Sequence, residues 1–308
     1  MKLPEKDKTT PMKTEMKSAG LLFLTAAIWG FAMAAQREAS AYLSPMTFNA
    51  CRFTVGAAAM GPLLAMEKKG KGRIGRRDVL SGCALGAVLF TASLLQQMGV
   101  GAAGAGKAGF LTALYVVLVP VLGAMMGKKT RGSTWLALGI AIPALYLLCV
   151  PKGEKLRLAP ADGAVLAGAV FWAAHILLTD AFTKRTPALR LCVIQFASAA
   201  VMNWAGAIAF ERVTIGGLSH ALVPVLYCGI MSTGIGYLCQ TVGQRGCRPA
   251  LAALIMSLES VFCVAAGALL LGEKMDGRGL AGCGLMLLAV VLAQAGAWIA
   301  GPKEETHV

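Results

Sequence analysis

Apolar residues run through this chain in blocks of about twenty, separated by short polar connectors. The blocks cover roughly 18–36, 45–65, 79–99, 108–126, 133–150, 161–180, 188–210, 220–241, 249–271 and 279–300. A bilayer core about 30 Å thick takes about 20 residues of helix, and helix is the form that satisfies every backbone N–H and C=O within one segment. The pattern therefore predicts an all-α integral membrane protein of ten transmembrane helices. Only tails and connectors remain, too short for a soluble domain. Pro120, Pro143 and Pro224 fall inside blocks, where a neighbouring helix or water can take up the carbonyl that each leaves free.

Composition agrees with the pattern. Of 308 residues, 57% are hydrophobic and 14% charged, with mean hydropathy +0.67; a soluble chain carries about a quarter charged residues. The 37 glycines suit helices that must approach closely, because lipid gives them no hydrophobic reason to associate. A net charge of +14 could mean nucleic acid, but the bases lie in the connectors. Counted over alternate connectors, 20 Lys and Arg fall on the side of the amino terminus and 8 on the other, with Arg52 inside a span. Basic connectors stay in the cytoplasm, so both termini are expected there, in a bacterial inner or plasma membrane. The charged first seventeen residues lead into a block longer than a signal h-region, so Ala32-Met33-Ala34 is taken as part of an uncleaved first span. Nine cysteines without a CxxC pair, nearly all in apolar blocks, are expected to be buried hydrophobes and not a disulfide or metal framework.

The two halves repeat. Gly20 and Trp29 recur as Gly163 and Trp172, 143 residues later; Ser44-Pro45 recurs as Thr186-Pro187 at 142; Gly127-Lys128-Lys129, Gly132 and Gly139 match Gly272-Glu273-Lys274, Gly277 and Gly284 at 145. Residues 1–152 and 153–308 are thus expected to be two five-helix repeats. Five crossings are odd, so the second copy starts on the opposite side of the membrane. That inverted plan places a site near the midplane, between two nearly equivalent conformations.

Several polar residues fall inside spans. Arg52, seven residues past Pro45, lies about 10 Å below the outer boundary and should face the bundle, either as a structural group or as an anchor for a carboxylate or phosphate. Glu259, eleven residues past Arg248, lies about 16 Å in and is the carboxylate deepest in any span. It is a candidate for proton coupling, for holding a substrate amine, or for an ion pair with Arg52. Trp29 and Trp172 fall near mid-bilayer, deeper than interfacial anchors, and either line a cavity or pack a tight core. Asn49, Gln96, Gln97 and Tyr115 share one depth on spans two to four and either line a vestibule or bond one another. His175 on span six is a possible proton relay or a satisfied hydrogen-bond partner. Asp180, beside Lys184 and Arg185, reads as an interfacial charge, and Gly272-Glu273-Lys274 as the end of span nine. Gly82-Cys83-Ala84-Leu85-Gly86 is a GxxxG pattern expected at a close helix contact. Gly101 to Lys107 reads GAAGAGK, near the phosphate-cradling GxxxxGK, but Ala108 stands where Ser or Thr would hold magnesium and a membrane helix precedes it. No nucleotide, metal or other cofactor, no ATPase subunit and no nucleic acid is expected; the expected partners are a small-molecule substrate and the lipid bilayer.

Ala27-Ile28-Trp29-Gly30, Ser44-Pro45 with Arg52, and Leu95-Gln96-Gln97-Met98-Gly99 running to Ala108-Gly109-Phe110-Leu111-Thr112-Ala113-Leu114-Tyr115 and Val119-Pro120 carry a resemblance in the first half. Ser257-Leu258-Glu259-Ser260-Val261-Phe262 and Leu271-Gly272-Glu273-Lys274 carry it in the second. The whole chain resembles the EamA-type drug/metabolite transporter superfamily. Ser260 stands where that family often has Pro, and Lys128-Lys129 replaces the Gly-Glu of the first repeat. The resemblance implies a non-enzymatic carrier that exports or exchanges small metabolites, often amino acids or drugs, with spans five and ten peripheral. A passive channel, a membrane sensor and an intramembrane enzyme are the alternatives; the enzyme would call for carboxylates or a His-Asp set clustered at one depth.

Overall fold

The computed structural model describes residues 9–67, 73–103, 105–150, 153, 159–271 and 277–299. Among them there is no strand, and nine helical segments are long and apolar enough to cross a membrane. Span one is α1 (Thr9–Ala39), which begins about two and a half turns before the apolar block; span two is α2 (Pro45–Glu67) and span three α3 (Arg76–Ala103). Span four is broken at Leu114 into α4 (Ala105–Ala113) and α5 (Tyr115–Met125), and α6 (Gly132–Cys149) is span five. The second copy repeats this order with α7 (Pro160–Phe182) and α8 (Ala188–Phe210), after which the short α9 (Ile215–His220) leads on. Span eight is composite: α10 (Leu222–Leu226), a π-helical stretch Tyr227–Gly236, α11 (Tyr237–Gly243) and a 3₁₀ turn Gln244–Gly246. Span nine breaks at Ser257–Leu258 into α12 (Pro249–Met256) and α13 (Glu259–Leu271), and α14 (Gly277–Ile299) is span ten. The tenth segment, α2, is 23 residues long and lies outside the apolar nine. Thr47, Asn49 and Arg52 lower its hydropathy, and all three are buried against other helices instead of facing lipid. Pro62, not singled out above, also lies within it.

The packing follows the repeat. α2 lies along α8, and α6 along α14, each pairing a helix with its own counterpart. α1 crosses α13 and span eight, while α7 crosses α5 and α3, so exchanging the copies maps one set of contacts onto the other. With five crossings in each copy, the second five-helix repeat runs opposite to the first. Spans five and ten pair chiefly with each other, at the margin of the bundle. The boundary expected between residues 152 and 153 falls in 151–158, where Gly153 alone is described; Gly272-Glu273-Lys274 and the basic residues Lys68, Lys69, Lys71, Lys152, Lys155 and Arg157 lie outside the described residues.

Contacts close enough to exclude a side chain hold the crossings together. A Cβ on Gly30 would overlap Phe262 and lie 2.7 Å from the Glu259 carbonyl oxygen and 2.8 Å from the Cys263 nitrogen, so α1 and α13 touch backbone to backbone. Gly56 on α2 faces Thr233, and Gly229 in the π stretch faces Val55, a reciprocal pair across one interface. Gly82 and Gly86 seat Ile194 and Ser198, placing the GxxxG pattern at the contact of α3 with α8. Charges close the helix ends. Glu211, just past α8, accepts from the backbone N–H of Met46 and Thr47 at 2.9 and 2.8 Å, capping α2 from the other copy. Arg190 on α8 pairs with Asp78 on α3 at 3.2 Å. After α5, Gly127 adopts a left-handed φ of 74°, and the turn brings Lys128 to within 2.7 Å of Asp180 on α7. Asp180 is thus buried in a cross-helix ion pair, with Lys184 at 3.6 Å, and not a plain interfacial charge.

Gly30→Ala is expected to destabilise the detergent-solubilised protein by about 1–3 kcal/mol, because the atoms it meets are largely backbone and cannot move aside. Gly20→Ala, with open space at the same test position, should be neutral or stabilising by up to about 1 kcal/mol. Apparent melting temperatures of the two variants check this; equal losses would mean that α1 and α13 do not cross at Gly30.

Candidate functional site

The breaks in spans four, eight and nine meet around one cavity. About 470 Å³ of atom-free space lies within its walls, part of it continuous with solvent. Trp29, Met33 and Gln36 on α1, Arg52 on α2 and Gln96 on α3 form one part of its wall. Thr112 and Tyr115 flank the break in span four, and Glu259 opens α13 at the break in span nine. Trp172 and Ile176 on α7, with Ser232, Tyr237 and Gln240 on span eight, complete it.

Most of this wall comes in repeat-related pairs. Trp29 and Trp172, and likewise Met33 and Ile176, are 143 residues apart; Gln96 and Gln240, and Tyr115 and Glu259, are 144 apart. Tyr115 and Glu259 are each the first residue after a helix break. The cavity therefore sits on the pseudo-twofold axis, where a residue of one copy faces its counterpart. Chemistry breaks the symmetry. A phenol stands on one side where a carboxylate stands on the other, and Arg52 corresponds to Gln195 at the same 143-residue offset.

Six of the residues expected from the sequence reach the wall: Trp29, Arg52, Gln96, Tyr115, Trp172 and Glu259. Asn49, Gln97 and His175 stand behind it. Asn49 accepts a hydrogen bond from Arg52 Nε at 2.8 Å, which fixes the guanidinium while Phe53 and Phe48 lie 4.6 and 5.6 Å from its Cζ. Gln97 donates to the Gln36 carbonyl at 3.2 Å. His175 is fully buried, bonded through Nε2 to Gln195 at 3.0 Å, and packs edge-on to both Trp172 and Tyr237. The expected set at one depth therefore divides, with Gln96 and Tyr115 on the wall and Asn49 and Gln97 one layer out. Arg52 and Glu259 do not form an ion pair in this conformation; both face one cavity, and Glu259 has no side-chain hydrogen bond or ion pair among the described residues. Met33, Gln36, Thr112, Ile176, Ser232, Tyr237 and Gln240 were not singled out by the sequence. Gln240 alone carried a usable signal, its repeat relation to Gln96.

The electrostatics of the wall suit a polar guest. Among the described residues, Arg52 Nη2, Tyr115 Oη, Thr112 Oγ1 and Trp172 Nε1 are buried without a partner, and so are the amide oxygens of Gln36 and Gln240. An unpaired buried polar group costs about 1–3 kcal/mol, so several on one wall imply a bound partner or water. The wall presents donors at Arg52, Tyr115 and Trp172 and acceptors at Glu259, Gln36 and Gln240. Trp29, Trp172 and Tyr237 form an aromatic face with centroids 4.9 to 6.5 Å apart. At the decoy loop, residues 101–103 and 105–107 are helical, which withholds the backbone N–H groups that a phosphate cradle presents.

Comparison with known proteins accords with this geometry. An uncharacterized transporter of Archaeoglobus fulgidus is 25% identical over 272 residues, covering 88% of this chain and 83% of its own. A protein of known crystal structure superposes with a TM-score of 0.77 at 19% identity, over 92% of this chain and 98% of that one, and shares its fold. The EamA-like transporter family matches twice, over residues 16–150 and 159–294, one match in each five-helix copy. The chain therefore belongs to the EamA-like transporter family, as a multi-pass membrane protein containing two copies of that domain.

Proposed function

We propose that the protein is a secondary transporter that carries a small metabolite bearing both an anionic and a cationic group, such as an amino acid, across the bacterial plasma membrane by alternating access. The observation that carries this reading is the cavity on the pseudo-twofold axis, walled by repeat-related pairs, with Arg52 Nη2 unpaired and Glu259 without a side-chain partner among the described residues. A guest on that axis meets equivalent walls whichever way the copies tilt, so the same site can open to either side. Arg52, held by Asn49 and backed by Phe53, presents a fork donor to the carboxylate. Tyr115 and Trp172 donate to the remaining lone pairs. Glu259 receives the amine, with Gln36 and Gln240 as acceptors beside it, and the aromatic face holds the apolar body. Between substrates Glu259 takes up a proton, which couples flux to a gradient in place of ATP. His175 acts on the site only through the ring contacts of Trp172 and Tyr237. Both termini lie in the cytoplasm, in keeping with the basic connectors, and net movement is export or exchange.

Purified protein in liposomes should take up a labelled amino acid saturably, and unlabelled substrate on the far side should accelerate that uptake. Linear flux without counterflow would instead identify a passive channel. Glu259→Gln is expected to lower pH-dependent flux by about tenfold or more at unchanged surface expression, the equivalent of a lost charge-assisted hydrogen bond. Equal losses of flux and expression would assign the residue to folding. Arg52→Lys keeps the charge but loses the fork, and is expected to raise the KM about tenfold with a smaller effect on Vmax; an unchanged KM would remove the carboxylate from this reading.

A further inference from the structure

Span eight is wound as π-helix for ten residues, Tyr227–Gly236, a form that occupies well under about 1% of residues in ordinary proteins. Span three, its counterpart in the first copy, is α-helical from Arg76 to Ala103. The π stretch leads directly into Tyr237 and Gln240 on the cavity wall, so its winding fixes the angle at which both side chains arrive. Where i→i+5 winding gives way to i→i+4, the carbonyls near the junction look for other donors, and in lipid those must come from protein.

α1 supplies them. Trp29 Nε1 donates to the Ser232 carbonyl at 3.2 Å, and Thr25 Oγ1 lies 3.1 Å from the Gly236 carbonyl, sharing its proton with Leu21 O of its own helix at 2.9 Å. Two donors four residues apart on α1 thus meet two acceptors four residues apart on the π stretch. The other copy provides an internal control. There the residue equivalent to Thr25 is Gly168, which packs against Leu95 and offers no hydroxyl, and Trp172, equivalent to Trp29, has an Nε1 without a partner among the described residues. Opposite those two residues the helix is regular α, with its carbonyls already used.

We infer that Thr25 is a positioning residue for transport: its hydroxyl, with the Trp29 indole, holds span eight in the π register that places Tyr237 and Gln240 in the cavity. Recovering one residue of α register would turn both side chains about the helix axis by about 100°, so the contact couples α1 to the shape of the site. Thr25 is fully buried and does not itself line the cavity. The inference rests on the transport reading for its functional consequence, but the contact can be read without a substrate.

The test uses the full chain in lipid with Thr25→Val, which keeps the shape and removes the hydroxyl, and Thr25→Ser, which keeps the hydroxyl. Hydrogen exchange of the amides in 227–241 is measured alongside the KM for whichever labelled amino acid the unaltered protein takes up fastest. Thr25→Val is expected to speed exchange in that stretch and to raise the KM, each about fivefold, with Vmax within about twofold, and Thr25→Ser to restore both. Unchanged exchange, a lower Vmax or surface amount at constant KM, or failure of Ser to restore would each overturn the inference. If the unaltered protein takes up no amino acid, the amino-acid reading is what fails, and the exchange pattern with its Ser rescue decides the contact alone.

Discussion

In a bilayer every backbone N–H and C=O must find its partner inside the protein, and this constraint determines where the molecule can be irregular. Spans four, eight and nine all depart from regular α-helix, and the departures converge on one cavity instead of facing lipid. Side chains from other helices take up part of what the irregular backbone frees, as Trp29 does for Ser232. The site and the helix breaks are thus one feature. Without a polar cavity the breaks would expose unpaired backbone, and without the breaks Glu259 and Tyr115 would not stand at the heads of half-helices on its wall.

Close approach is the second requirement, and glycine supplies it. With lipid on the outside there is no hydrophobic gain in bringing α1 to α13 or α2 to span eight, so association depends on contact distance. Gly30, Gly56 and Gly229 remove the side chains that would hold those backbones apart. The crossings they permit are those that carry Trp29, Arg52, Ser232 and Glu259 to a common space, so packing and site geometry are set by the same residues.

Duplication gives the cavity a symmetric frame, and substitution within the frame gives it polarity. Trp29 with Trp172 and Gln96 with Gln240 preserve the pairing, whereas Tyr115 with Glu259 and Arg52 with Gln195 abandon it. The result is a cavity whose walls correspond in position but differ in chemistry.

The sequence alone determined the architecture. Apolar block length and the drifting offset near 143 residues reflect constraints that act locally or by simple periodicity: bilayer thickness and duplication. That Arg52, Glu259 and Trp29 fall within helices of the bundle was legible for the same reason, and all three line the cavity. Tertiary structure decided which polar residues at one depth share a wall. Asn49 lies three residues from Arg52 yet stands behind it as a hydrogen-bond partner, Gln97 turns away where its neighbour Gln96 turns in, and His175 is sealed against Gln195. Those outcomes depend on rotation about each helix axis, which the interlocking of neighbouring helices fixes. The π winding of span eight belongs to the same class: the run Tyr227–Gly236 carries no local signal for it, and the donors that accompany it lie about two hundred residues away on α1.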